Sequence, residues 1–592
     1  MSLHRAIWLK RFSEALGDVP NSLLTAFNTT IITIISTIAI LLYCLRKWLL
    51  PKPVPGIAFN PAAIRSLLGD APNMVKEVSV TGEFRVWCAK QVKKMNSPIC
   101  QVFIKPFSQP WILLADFRES RDILMRRKDF DKSSFLSDGM ACMGAFHGIY
   151  PTGGKFKANR QLIQDLMTTT FLNNHVGPAV YNKGLEVMKL FETKMNLAKG
   201  RPFSVKKDFE YASLDVMLYF AFGNNWTYTA TGPQVELLSK MSVPDVKAGS
   251  LDQPVEYPIV PLVKFLDTVY EAPEIVEKTI NAIMPKLQTW WWSKQSWYKK
   301  IFAEKERVMK EQVAISMENY RAGHVETALE HMLMREEVQA EKQGRKPDFE
   351  SPVFRDELFG DIIGGHHTTS GAMMWLAKYL TDLAHIQTRL RSVLYETLST
   401  AREENRAFTF EEIRRAKLPY FDAVIEEMLR INAVTVTREA LCDTTILGCP
   451  IKKGTQVFFV SNGPGFLSPS IPIDYSKRSE NSRAAKLNAT WDETQDLTIF
   501  DPERWLVRKN DSGGLSENDV EFDGAAGPQL VFGLGPRACW GRRLAQMEMR
   551  TIIGMLVWNF ELLETPPAIS SHAGLEGIAR VPQQCYVRLR KI

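Results

Sequence analysis

The stretch F-G-L-G-P-R-A-C-W-G, from Phe532 to Gly541, is the most informative segment of this sequence. It places Cys539 in a glycine-rich turn, directly before the helical pattern R-R-L-A-Q-M-E-M-R-T-I-I-G-M-L-V-W. Gly533 and Gly535 permit tight turns, so the backbone can be compact enough for a thiolate sulfur to approach a metal ion. The helix that follows directs N–H groups and the positive end of its dipole toward that sulfur. The alternative for this segment alone is a buried, inert cysteine.

A second pattern lies upstream, in the helical stretch V-I-E-E-M-L-R-I. Glu427 and Arg430 are three residues apart, so on a helix they share one face and can form an ion pair. Downstream, the segment F-D-P-E-R-W (Phe500 to Trp505) supplies a further arginine, Arg504. A Glu–Arg pair of this spacing is common on protein surfaces, so it indicates a function only in combination with the other patterns.

The third pattern is I-I-G-G-H-H-T-T-S, Ile362 to Ser370, inside the longest predicted helix, Phe354–Leu394. Glycines weaken a helix locally, and Thr368 supplies a hydroxyl that can both donate and accept hydrogen bonds. His366 and His367 are adjacent, and neighbouring helical side chains point about 100° apart. This geometry argues against a shared metal site.

In this order along the chain, the three patterns resemble the cytochrome P450 family of haem-thiolate proteins. The cysteine segment matches the family's haem-binding pattern at Phe532, Gly535, Arg537, Cys539 and Gly541. The resemblance implies that Cys539 is the axial ligand of the iron of haem b and that Arg537 contacts a haem propionate. Electron donation from such a sulfur favours cleavage of the O–O bond.

The resemblance also implies roles for residues outside the cysteine segment. Arg160 and Arg438 fall where the family has propionate contacts, although Phe156 stands where a tryptophan is usual. Pairing of arginine with a carboxylate is physically reasonable at both positions. The implied structural triad behind the haem consists of Glu427, Arg430 and Arg504.

The Ile362–Ser370 segment resembles the family's oxygen-activation motif, in which an acidic residue precedes the threonine. In this chain His367 occupies the position of the acid. Imidazole titrates near neutral pH, so His367 can serve as the proton relay. The alternative is that His366 and His367 fill space. The predicted catalytic residues are Thr368 and His367.

The reaction that the resemblance implies is insertion of one oxygen atom from O2 into a hydrophobic small molecule, with electrons from NADPH delivered by a membrane-bound reductase. The chain resembles fungal members of secondary metabolism, and the implied pocket runs along residues 135–149, 357–369, 431–437 and 574–579. One alternative, kept open by His367, is a haem-thiolate isomerase or dehydratase that needs no O2. The other is a non-catalytic membrane haem protein, against which the array of Gly365, Thr368 and Cys539 argues.

A hydrophobic segment lies near the N-terminus: no charged residue occurs from Val19 to Leu45. About 20 helical residues span the roughly 30 Å hydrocarbon layer of a membrane. A signal peptide would have a shorter apolar region and a small-residue cleavage site, whereas here Arg46 and Lys47 follow. The proline-rich Pro51–Gly56 forbids helix continuation. We therefore expect a tail and membrane anchor in 1–50, a hinge in 51–56 and a haem-binding catalytic domain in 57–592. The expected location is a single-pass protein of the endoplasmic reticulum, with the catalytic domain facing the cytosol.

The remaining patterns predict a mainly α fold with a smaller β part, the cytochrome P450 fold, plus the N-terminal transmembrane helix. Short β-like runs at Ile99–Pro106 and Trp111–Asp116 precede a long helical region. Later, Thr445–Val460 predicts a hairpin around K-K-G, and the final C-Y-V-R-L-R-K-I predicts a closing strand.

Composition and charge limit the partners. The formal net charge is +7, with Lys and Arg scattered along the chain, so no nucleic-acid partner is predicted. Eight irregularly spaced cysteines predict neither a disulfide framework nor a zinc site. Glu256–Leu266 and Thr289–Lys300 are candidate lipid contacts or ordinary core packing. Arg542, Arg543 and Arg550 are candidates for steering an acidic reductase.

Overall fold

A computed structural model describes residues 21–485, 491–508 and 520–592 of the chain. The prediction of a mainly α fold with a smaller β part is confirmed. In the described segments, the α-helices of eight or more residues are α1 (Asn21–Leu49), α2 (Ala71–Thr81), α3 (Phe84–Met95), α4 (Phe117–Met125), α5 (Gly154–Leu162), α6 (Gly177–Ala198), α7 (Lys206–Phe222), α8 (Thr231–Ser239), α9 (Lys264–Ile280), α10 (Pro285–Trp292), α11 (Ser296–Arg321), α12 (Ala328–Lys342), α13 (Pro352–Asp382), α14 (Ala384–Thr397), α15 (Pro419–Ile431) and α16 (Arg542–Asn559).

The β part consists of one larger sheet and several small ones. Its strands are β1 (Ala58–Phe59), β2 (Ile99–Val102), β3 (Trp111–Leu114), β4 (Phe130–Asp131), β5 (Phe203–Ser204), β6 (Val436–Ala440), β7 (Thr444–Ile446), β8 (Cys449–Ile451), β9 (Gln456–Phe459), β10 (Leu506–Arg508), β11 (Val520–Phe522), β12 (Phe560–Leu563), β13 (Gly574–Glu576), β14 (Arg580–Pro582) and β15 (Tyr586–Lys591). The larger sheet has the order β1-β2-β3-β9-β6-β4, and the predicted closing strand is β15, between β12 and β5.

The predicted hairpin of Thr445–Val460 has a different turn in the structure. Leu447 and Gly448, with φ of 49° and 74°, join β7 to β8, so the tight turn is not at K-K-G. Two consecutive positive φ values match the twist of a two-residue hairpin. Lys452–Gly454 instead leads into β9, which is buried between β3 and β6. The expectation was wrong because β9 pairs with distant strands.

The predicted helix Phe354–Leu394 is also divided in the structure. Helices α13 and α14 meet at Leu383, whose φ of −118° and ψ of 71° lie outside the helical region. The buried amide of Gln387 donates to the carbonyls of Leu380 and Leu562, each at 2.9 Å. A carbonyl near the end of α13 thereby gains a partner, and the break is held against β12. The contact with β12 is long-range, so helical periodicity did not predict it.

Helix α13 passes through the hydrophobic core. Phe359 and Ile362 in its first half and Leu376 in its second half are completely buried. Trp375 is also buried, and its indole N–H donates to the carbonyl of Arg580 at 2.9 Å, which joins α13 to β14. The helix is therefore a rigid element that can hold polar side chains at fixed positions in the interior.

The N-terminal helix α1 has the length and composition of a membrane anchor. Its stretch Asn28–Leu49 comprises 22 residues with a mean hydropathy of 1.9, and none of the stretch is buried against the protein. The segment predicted as a hinge follows it. The side chain of Gln101 in β2 accepts from the N–H of Val54 at 2.8 Å and donates to its carbonyl at 2.9 Å. From Val54 onward the segment is thus fastened to the larger sheet.

Candidate active site

The cysteine segment is a tight loop in front of α16. The N–H of Cys539 donates to the carbonyl of Phe532 at 2.7 Å, and the N–H of Ala538 donates to the carbonyl of Gly535 at 3.0 Å. Gly535 has a φ of +70°, and a Cβ atom there would lie 2.3 Å from the carbonyl oxygen of Leu124. Glycine is required at this position for both reasons.

The environment of the Cys539 thiol contains opposing influences. Burial raises the pKa of this thiol, and the carboxyl of Asp361 acts in the same direction. Backbone N–H groups of Gly541 and Arg542, and the charge of Arg160, lower the pKa. The residue nevertheless remains accessible to solvent. The net effect is a raised pKa for the free thiol, while the backbone donors at the start of α16 are placed to stabilise a thiolate once the sulfur binds a metal ion.

Glu427 is the centre of a buried polar cluster. Its carboxylate accepts from Arg430 at 2.8 and 2.6 Å, from the indole N–H of Trp505 at 2.9 Å and from the backbone N–H of Asp501 at 3.0 Å. Arg504, the expected third member, is more distant, with 3.8 Å between its Nε and Oε1 of Glu427. The sequence analysis missed Trp505, because no pattern in the one-dimensional sequence distinguishes a hydrogen-bonding tryptophan from one that only packs.

Desolvated cations gather beside the cysteine loop. Burial lowers the pKa of Arg438 to about 10, and burial with repulsion from Arg537 and Arg438 lowers that of Lys132 to about 7. Nη2 of Arg438 and Nη1 of Arg537 are buried and have no hydrogen-bond partner among the described residues. Asp131 is the nearby carboxylate, but it is already held by the N–H and hydroxyl of Thr152. This excess of positive charge fits a ligand that carries carboxylates, as haem does.

Two further cations lie near the cysteine loop: Lys132, which was not among the expected residues, and Arg160 on α5, the expected propionate contact. No motif surrounds Lys132 in F-D-K-S-S-F, so only the fold brings it to Arg438. The guanidinium of Arg160 stacks on the ring of Trp540 at 3.6 Å and faces Asp361. Arg160 thus lies between the cysteine loop and α13, close to both.

The two glycines of α13 have different roles. A Cβ on Gly365 would lie 2.4 Å from the sulfur of Met217, so this glycine allows α7 to pack closely against α13. A Cβ on Gly364 would meet nothing within 4 Å, so this side of the helix borders open space. The hydroxyl of Thr368 donates to the carbonyl of Gly364 at 2.7 Å. The predicted relay hydroxyl therefore lies one turn from the open position.

The two histidines of α13 face different surroundings. His366 is buried, its Nδ1 is 2.9 Å from the carbonyl of Ile362, and burial lowers its pKa to about 4. Burial also lowers the pKa of His367, whose charged neighbours include Glu277 and Glu210. Nδ1 of His367 is buried and has no partner among the described residues. Nε2 of His366 is likewise buried without a partner among the described residues, so the difference is that His366 is held by a backbone carbonyl and His367 lies near two carboxylates.

A family model of cytochrome P450 matches residues 148–463 and 497–587. The chain belongs to the cytochrome P450 family. It is 36% identical to cytochrome P450 monooxygenase TRI13 of Fusarium sporotrichioides, over 93% of this chain and 97% of that protein. It is also 36% identical to cytochrome P450 monooxygenase xilC of Penicillium crustosum, over 93% and 94% of the respective chains. A crystal structure of a cytochrome P450, CYP102L1, shares the fold with a TM-score of 0.61 and 16% identity, over 92% of this chain and all of that one.

These findings support a monooxygenase function for the P450 chain. Its relatives are named monooxygenases, so nothing favours the isomerase or the non-catalytic alternative. The family uses haem b, acts on hydrophobic substrates and takes electrons from a redox partner, typically NADPH through a reductase.

We expect Glu427→Gln to destabilise this P450 strongly, because the amide leaves Arg430 buried without its counter-charge. Breaking a buried pair in this way costs about 3–5 kcal/mol. Thermal melting and haem retention after purification measure the loss. Glu426→Gln is the matched control, since Glu426 is buried on the same helix and its Oε1 has no partner. Equal melting temperatures for the two variants would contradict the central role of Glu427.

Proposed function

We propose that this P450 hydroxylates a hydrophobic small molecule in a secondary-metabolite pathway, and that Cys539 would hold the haem through its iron. The overall reaction is RH + O2 + NADPH + H⁺ → ROH + H2O + NADP⁺, where RH is the substrate. The observation that carries the proposal is the accessible Cys539 beside a cluster of desolvated cations that lack carboxylate partners. When bound, haem b supplies the activation of dioxygen.

The residues around the haem would have separate tasks. Arg438 and Arg537 would bind the propionates, with Lys132 beside them, because their buried N–H groups need anionic partners. Thr368 would relay protons through its hydroxyl, and His367 would act in place of the family's acid. Since the pKa of His367 is lowered, its ring is neutral at neutral pH and can both accept and donate a proton.

The difference spectrum of the reduced protein with and without carbon monoxide tests the ligand assignment. We expect a strongly red-shifted Soret band in the wild type and in Cys442→Ala, whose cysteine is exposed at the end of β6. Cys539→Ala should lose this band, because alanine supplies no sulfur to the iron. A red-shifted band in Cys539→Ala would refute the assignment.

We propose that the chain contacts the membrane at two places, through α1 and through the region of α10. Ile283 is 79% exposed, and Trp290 and Trp291 are 56% and 58% exposed. Lys294 lies 5.8 Å from the ring of Trp290, so a cation accompanies the aromatic group, as at lipid headgroups. In the other candidate patch, Glu256–Leu266, the final phenylalanine and leucine are buried in the core. The α10 region is therefore the stronger candidate.

We expect a chain without residues 1–50 to sediment with phospholipid vesicles and the same chain carrying Trp290→Ser and Trp291→Ser to remain in the supernatant. Loss of two interfacial indoles removes the apolar contact. Tyr475→Ser is the control, since this aromatic side chain is similarly exposed, at 57%, and lies outside the α10 region. Unchanged sedimentation of the double variant would count against this contact.

The membrane-bound reductase would dock, we propose, near the start of α16. Arg542 and Arg543 are exposed there, while Arg550 is paired with Asp422 at 2.7 Å and is less available. Of the three expected arginines, Arg542 and Arg543 are therefore the candidates for contact with the reductase. A positive surface beside the haem ligand would steer an acidic partner.

The double change Arg542→Gln and Arg543→Gln should slow haem reduction by about tenfold at low ionic strength, and by less at high salt, because salt screens surface charges. Stopped-flow absorbance with reductase and NADPH measures this rate. The control is Lys342→Gln with Lys346→Gln, two exposed lysines at and beyond the end of α12. A reduction rate equal to that of the control at every salt concentration would remove the proposal.

A further inference from the structure

Helix α13 carries a row of functional groups on one face. Glu357, Asp361, Gly364 and Thr368 are spaced by four, three and four residues, which places them along one side of an α-helix. This side borders open space at Gly364. Two carboxyl groups therefore precede the proposed relay hydroxyl along the same stripe.

Asp361 is the more unusual of the two acids. Its Oδ2 is buried and has no hydrogen-bond partner among the described residues. The charged groups that face it are Glu357 on its own helix, Arg160 on α5 and His147 in the segment before α5. Its charge also reaches the thiol of Cys539 in the cysteine loop. A desolvated carboxyl without a partner is costly, so a protonated form that can give up its proton is the natural state of this group.

Glu357 connects Asp361 to the outer part of the protein. Its side chain is fully buried and accepts from the backbone N–H of His147 and from the amide of Asn159, each at 2.5 Å. Oε2 of Glu357 lies 2.7 Å from Nδ1 of His147. The imidazole of His147 is 12% exposed, so this end of the row is in contact with solvent. A proton can enter at His147 and pass to Glu357 across one short hydrogen bond.

The protonation equilibria suit exchange near neutral pH. Burial, with repulsion from Asp356, raises the pKa of Glu357 to about 8. Burial, with repulsion from Glu357, raises the pKa of Asp361 to about 7. Burial, with the charges of Arg160, Arg537 and Lys132, lowers the pKa of His147 to about 4. At pH 7, Glu357 is therefore mainly protonated and Asp361 exchanges its proton readily, while the neutral imidazole of His147 lies between Glu357 and solvent.

His367 is oriented away from this row. It is six residues after Asp361, which is about 120° around the helix, and its charged neighbours Glu277 and Glu210 lie on α9 and α7. Because its pKa is lowered, His367 passes protons without storing one. The position that holds an acid in the family thus lacks a proton store, whereas Asp361 lies one turn from Gly364.

We propose that Asp361 and Glu357 are the proton store of this enzyme, with Asp361 supplying protons to the open space beside Gly364 and Thr368 and His147 reloading Glu357 from solvent. This inference rests on the proposed function. Each hydroxylation consumes two protons, one from NADPH oxidation and one from solvent, and one oxygen atom leaves as water. In this proposal Asp361 provides the proton, and the hydroxyl of Thr368 passes it on to the open space.

Asp361→Asn removes the ionisable proton and keeps the shape. We expect the carbon monoxide difference spectrum to be unchanged and product formed per NADPH to fall about tenfold or more, with hydrogen peroxide released in place of product. Asp361→Glu should recover most of the coupling because it restores the acid. Glu548→Gln is the control, since Glu548 is a buried acid on α16 whose pKa is also raised to about 8 by burial. Normal coupling in Asp361→Asn, together with uncoupling in His367→Ala, would overturn the proposal in favour of His367.

The pH profile gives a second test in the wild type. Asp361 carries its proton below pH 7 and loses it above, so coupling should fall as the pH rises through about 7. Glu357→Gln should lower the coupling across this whole range, because an amide cannot pass a proton from His147 to Asp361. A flat profile across this range would also overturn the proposal.

A third readout does not depend on turnover. In the infrared spectrum of the resting protein at neutral pH, the protonated carboxyl absorption should be weaker in Asp361→Asn than in the wild type by the contribution of one group, while the contributions of Glu357 and Glu548 remain. A wild type that shows the red-shifted thiolate spectrum but oxygenates no substrate would refute the proposed function. The infrared difference would still show whether Asp361 is protonated. An identical infrared spectrum in both proteins would show that Asp361 stores no proton.

Discussion

The interaction on which the rest of the site depends is the set of hydrogen bonds around the buried carboxylate of Glu427. Arg430 is buried, so its guanidinium needs the carboxylate of Glu427 as its partner. The indole of Trp505 and the N–H of Asp501 complete the set and join α15 to the segment before β10. One residue away on α15, the carbonyl of Glu426 accepts from the amide of Gln529, whose oxygen accepts from the N–H of Val531. The cysteine loop that follows is thus supported from behind by the same helix.

The buried arginines and the buried carboxyl groups around the proposed haem site differ in how they respond to the loss of water. Arginines such as Arg438 and Arg537 stay cationic when buried, so their free N–H groups require an anionic ligand. Carboxyl groups such as Glu357 and Asp361 have another option, because they can hold a proton when water is excluded. The cations are therefore suited to binding the haem and the acids to handling protons, although both groups are desolvated.

The sequence predicted the local structure correctly where neighbouring residues along the chain determine it. The cysteine loop is such a case, since glycines close to Cys539 shape the turn and α16 begins three residues later. The ion pair of Glu427 and Arg430 is another, because helical spacing alone brings the two side chains together. Prediction failed for Trp505, Lys132 and the end of α13, where the partner comes from a distant part of the chain. Asp361 also went unnoticed, because its importance depends on burial rather than on a motif.

The sequence by itself determined the family, the haem ligand candidate, the mainly α architecture and the apolar N-terminal helix, since these depend on local spacing, turn chemistry and hydrophobic length. Only the tertiary structure decided which buried groups have partners. It placed Arg160 between Trp540 and Asp361, left Gly364 open while Gly365 is packed against α7, and brought His147 to Glu357. The physical reason is desolvation. The free energy of burying a charged group depends on the groups that surround it in space, and the separation of these groups along the chain does not reveal which of them will be neighbours.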